Sequence, residues 1–225
     1  MTLTLTKREK ILGWFYLLAQ TLAVPFAVAL ICLGLGIHSD SAINNLCFYA
    51  NAALALAVFR PLLRQSLGNC RGRWRQTLLT ALKGLVLYWL LNLAVTTFIL
   101  RIDPNFGNVN DAAVSAMLRE SPLLMTIAVI FAAPLAEECL FRGWIFTSLA
   151  HRSIPLAYLV TAGFFSAAHV VGYIGQHDAL TLVLCFLSYL GPSIALCWAC
   201  ERDDSLCAPL LMHMAINALA CLLTR

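Results

Sequence analysis

Seven long apolar runs divide this chain, at residues 11–37, 42–63, 78–100, 122–150, 154–175, 179–200 and 206–223, and they leave it few folds to adopt. A helix needs about 20 predominantly apolar residues to cross about 30 Å of hydrocarbon, and each run meets or approaches that length. Of the 225 residues, 61% are hydrophobic and 12% charged, against about 45–50% and about 25% in soluble domains. The expected fold is all-α, a polytopic transmembrane helical bundle of seven spans. Only short loops separate the runs, so residues 1–225 are expected to form a single integral-membrane domain.

Basic residues set the expected orientation. Lys7, Arg8 and Lys10 precede the first run, and Arg60, Arg64, Arg71, Arg73 and Arg75 cluster between the second and third. Arg152 and Arg202 follow the fourth and sixth. The alternate loops are poor in Lys and Arg, which predicts a cytoplasmic N-terminus and, with seven spans, a C-terminus on the opposite side. The first run is too long for a signal-peptide core, and Gly34 to Ile37 makes a poor cleavage site, so a retained span is expected. Residues 111–120, "DAAVSAMLRE", have the character of an interfacial amphipathic helix; an interfacial or re-entrant element there would make eight. The net charge of +4 follows from this topology and points to no nucleic-acid partner. Nine scattered cysteines suggest no disulfide framework. Cys197 and Cys200 share a helix face without a matching second pair and read as packing residues.

The fourth run contains the anomaly. Glu137, Glu138 and Arg142 are the only charges between Pro122 and Ala150. Unpaired near a membrane centre, the three would cost on the order of 8–10 kcal/mol. Glu138 and Arg142, four residues apart, stack on one helix face and can brace one another. Glu137 points about 100° away and has no local partner, and Pro134, one turn earlier, is expected to bend the helix. An intramembrane ionisable group without a local partner marks a functional site. Partners are available on later runs. Phe165 stands four residues before His169, and His213 four before Asn217, so each pair shares a helix face. His38, His151 and His177 fall in loops and are expected to be solvated.

A carboxylate and an imidazole can hold a water and take its proton as it attacks a carbonyl carbon. An asparagine amide and a second imidazole can then stabilise the oxyanion. Alternatively, Glu137, His169 and His213 supply the two-histidine, one-carboxylate set of a zinc site with an open position. Both routes hydrolyse an amide bond, so the cofactor is either none or zinc. The depths do not agree, however. With the run limits above, Glu137 and His213 fall near mid-membrane but His169 near the outer end, a mismatch of about 10–15 Å.

"EECLFR" (137–142), "FSAAH" (165–169) and "HMAIN" (213–217) match, in order, the EExxxR, FxxxH and HxxxN motifs of the CAAX-protease and bacteriocin-processing (Abi) intramembrane proteases. The chain therefore resembles that family, over a catalytic core of about residues 121–223. The resemblance implies an endopeptidase acting on a membrane-associated protein or peptide within the lipid bilayer; eukaryotic members remove the last three residues of prenylated CaaX proteins. It implies that Glu137 and His169 activate water, that His213 and Asn217 stabilise the oxyanion, and that Glu138, Arg142 and Phe165 order the site. Two other classes compete. A non-catalytic immunity or scaffold protein would keep function without Glu137. A proton-coupled transporter would use the same residue types, but the chain shows no inverted repeat.

Overall fold

The computed structural model describes residues 1–223, and the described residues are helical throughout with short connections. In chain order the helices are α1 (Lys7–Gly34), α2 (Asp40–Val58), α3 (Arg60–Cys70), α4 (Trp74–Ile102), α5 (Val109–Glu120), α6 (Pro122–Ala150), α7 (Ile154–Ala168), α8 (Ala179–Asp203) and α9 (Cys207–Leu223). Six segments are long and apolar enough to cross a membrane: α1, α2, α4, α6, α8 and Ile154–Tyr173, which contains α7. The seventh apolar run yields α9, of 17 residues, which at 1.5 Å per residue is about 25 Å long.

Polar side chains start the helices. Thr6 and Glu9 form a reciprocal capping box at α1, satisfying two amides that the helix cannot bond internally. Ser39, Asn108, Ser153 and Asp178 accept from early amides of α2, α5, α7 and α8. The predicted run 42–63 does not stay whole. It breaks at Phe59, and Pro61 opens α3, since a proline offers no amide to continue the preceding ladder. The expected short helix at 111–120 is α5, and none of its residues is buried.

α6 occupies the centre, with α1, α2, α7, α8 and α9 against it and α4 packed outside on α8 and α9. All eight residues from Cys139 to Phe146 are buried, as befits a helix covered on every side. The helix is continuous, but turns with i→i+5 bonding cover residues 128–132 and 139–146. The expected bend at Pro134 thus takes the form of widened turns on either side of a short α-helical stretch, Ala133–Glu138. Such turns recur at functional sites because they re-aim side chains. Close packing onto α6 relies on Gly13 of α1, where a β-carbon would collide with the indole of Trp144. By contrast α1 and α4 present Phe15, Leu22, Phe26, Leu78, Leu82 and Leu93 outward, the surface that a lipid environment requires.

One end of the bundle is closed by polar contacts. The amides of Thr2 and Leu3 donate to the Asp204 carboxylate at 2.8 and 3.0 Å, and Leu3 is fully buried. Burial opposes ionisation of Asp204, but hydrogen bonds from the Thr2 hydroxyl and both amides outweigh it and hold the carboxyl below its ordinary range. His38, His151 and His177 are exposed, as expected; His151 also meets the Leu3 carbonyl at 3.0 Å. Cys197 and Cys200 are fully buried in the core.

Candidate active site

The brace expected from the i,i+4 spacing is present. Arg142 Nη1 donates to Glu138 Oε1 at 3.0 Å, with both side chains essentially inaccessible. Two buried charges need more than each other to offset their desolvation, and α8 and α7 supply it. Arg142 Nη2 donates to the carbonyl and hydroxyl of Ser193 at 3.1 and 2.8 Å. The guanidinium lies 4.5 Å from the Phe165 ring centroid, a cation–π placement that suits a delocalised charge.

His213 joins the same carboxylate, its Nδ1 2.7 Å from Glu138 Oε1. A carboxylate accepts, so Nδ1 carries a hydrogen and Nε2 is left to face inward. His169 repeats the arrangement on a different acceptor, its Nδ1 2.8 Å from the Phe165 carbonyl. Both free Nε2 atoms face Glu137, lying 3.8 Å (His213) and 3.9 Å (His169) from its Oε2. That oxygen is buried and has no hydrogen-bond partner among the described residues. Glu137 Oε2 and two imidazole Nε2 atoms, from α6, α9 and the end of α7, therefore converge on one point.

The expected depth mismatch is not found. α7 stops at Ala168 and His169 is its cap, not a residue within a helix running to 175. Counted from the end that α6 and α7 share, Glu137 lies 13 residues before Ala150 and His169 lies 15 after Ile154, about 20 Å in either case.

Asn217 stands apart from this convergence. Its Nδ2 donates to the Val129 carbonyl at 2.8 Å, inside the first widened turn of α6. An asparagine amide has two N–H bonds, so one donor remains. Two contributors escaped the sequence reading, Ser193 and Tyr189 of α8. Tyr189 stacks on His169 with centroids 4.3 Å apart and planes at 28°. The run "SYLGPS" (188–193), a proline inside an otherwise unbroken apolar helix, was the available signal.

A membrane-embedded helical bundle that gathers two glutamates, an arginine and two histidines around one buried point has the makings of an integral-membrane hydrolase. Residues 119–219 match the family model of type II CAAX prenyl endopeptidase Rce1-like proteins. The resemblance drawn from the three motifs is thus matched over this region. UPF0177 protein YxdF of Lactococcus lactis subsp. lactis (strain IL1403) is similar at 25% identity over 153 residues, 67% of this chain and 80% of that protein. No solved structure matches the chain.

Proposed function

We propose that the chain is an intramembrane endopeptidase that hydrolyses a peptide bond in a membrane-associated protein, with residues 121–223 as its catalytic core and its N-terminus in the cytoplasm. Glu137 Oε2, without a hydrogen-bond partner among the described residues and facing the Nε2 atoms of two imidazoles, is the observation that carries this reading. A water between Glu137 and His169 would donate one hydrogen to each, leaving its oxygen free to attack the scissile carbonyl. Glu137 takes the proton and returns it to the departing amine. His213 stabilises the oxyanion through Nε2 in its protonated form, for which Glu138 on Nδ1 is the counter-charge. The spare N–H of Asn217 is the second donor.

A metal is the alternative occupant of the same point. Glu137, His169 and His213 offer the donor atoms zinc prefers, although the described residues contain no group closed to ligand spacing. When bound there, an ion would supply a Lewis acid. The protein's own contributions are the same either way: the Phe165 carbonyl and Glu138 hold the two rings with Nε2 inward, and the Glu138–Arg142 brace fixes the helix that carries Glu137.

The test is cleavage of a membrane-anchored reporter library, including prenylated C-termini, with products identified by mass spectrometry. Wild type and Glu137→Gln are compared with and without a chelator. New termini from wild type alone are the expected result. Persistence with chelator assigns the chemistry to the carboxylate, and loss assigns it to an ion held by the trio. The same products from Glu137→Gln would remove Glu137 from the reaction.

A further inference from the structure

We propose that Tyr189 is a positioning residue for His169, held in turn by Asp111 of the connecting helix α5; this rests on the endopeptidase reading given above. His169 is the C-terminal cap of α7, where the chain turns into a short 3-10 segment, Val171–Tyr173. Its one hydrogen bond, from Nδ1 to the Phe165 carbonyl, leaves the ring free to pivot about that contact. Nε2 would then swing away from Glu137.

The aromatic contacts remove that freedom. The centroids of His169, Phe165 and Tyr189 form a triangle with sides of 4.4, 4.3 and 6.4 Å. Its angle at His169 is close to a right angle, so the two rings do not oppose one another. Tyr189, at 28° to the imidazole, covers a face, while Phe165 closes the side at 41°. The tyrosine ring is itself fixed at its far end. Its hydroxyl donates to Asp111 Oδ1 at 2.8 Å and accepts from Asn110 Nδ2 at 3.0 Å. Asn108, the cap of α5, ties that segment to α8 through the Ser188 hydroxyl at 2.9 Å. The connection between α4 and α6 is thus linked through one side chain to the orientation of a catalytic ring.

The test uses the full-length protein in detergent with labelled histidine. The His169 ring protons, assigned by their loss in His169→Gln, should show the ring-current shift of a covering aromatic face. Tyr189→Ala should abolish that shift; Tyr189→Phe and Asp111→Ala keep the ring but lose its hydroxyl tether, so both should retain it in broadened form. In reporter cleavage Tyr189→Ala should lower kcat by about 100-fold, the scale of a misplaced catalytic group, with KM little changed and activity restored in Tyr189→Phe. An unchanged His169 signal in a folded Tyr189→Ala protein would overturn the proposal, as would a kcat equal to that of wild type. The spectroscopic arm needs no turnover. A protein that cleaves nothing would therefore count against the endopeptidase reading, while the positioning of His169 by Tyr189 would still stand or fall on the ring-current shift.

Discussion

At the scale of single residues, the division of labour between the adjacent glutamates follows from one helical step. Glu138 faces Arg142 and His213, and both meet its Oε1; Glu137, turned away by that step, keeps an oxygen with no hydrogen-bond partner among the described residues. Arg142 is the more vulnerable member of the brace. Arg142→Leu leaves Glu138 buried beside a single imidazole and should cost about 3–5 kcal/mol of stability. Glu138→Gln/Arg142→Leu should recover much of that loss while remaining inactive, because His213 has then lost its counter-charge. Unfolding midpoints in detergent check both; losses that simply add in the double variant would contradict the pairing. The i,i+4 spacing made the brace legible in the sequence. For Ser193 and Tyr189 the proline in "SYLGPS" marked the stretch, but not which of its faces meets Arg142 or His169.

At the scale of elements, apolar length and capping residues located the helices well, while their ends depended on local chemistry that run length does not capture. Pro61 divided a run that hydropathy alone would join, and α7 ends at Ala168, which makes His169 its cap beside Glu137. Polar contacts also fix the N-terminal segment at one end of the bundle. The Asp204 carboxyl is held below its ordinary range by Thr2 and Leu3, so its contribution is complete above the unfolded value near 4 and is lost as pH falls through the lower folded value. Hydrogen exchange at the Thr2 and Leu3 amides should therefore accelerate relative to other protected amides in acid below about pH 4. Asp204→Asn should remove most of that pH dependence. Equal acid sensitivity in Asp204→Asn would show that the segment is released by another group.

At the scale of the whole molecule, the fold encloses one polar centre within a shell of apolar helices. α6, buried throughout from Cys139 to Phe146, carries the acidic pair; α7 and α9 bring one histidine each, and α8 holds the arginine. The three motifs and their order were legible because each lies on its own apolar run. Their convergence was not, since helix order around a bundle is set by packing surfaces such as Gly13 against Trp144. Everything proposed for the site depends on Glu137 being the chemical group and the other charges its support. The most direct test is kcat for a cleaved membrane reporter, measured for wild type and Glu137→Gln alongside their unfolding midpoints. The prediction is a loss of about 10²–10⁴-fold in kcat with an unchanged midpoint. Wild-type turnover by a folded Glu137→Gln protein would contradict it.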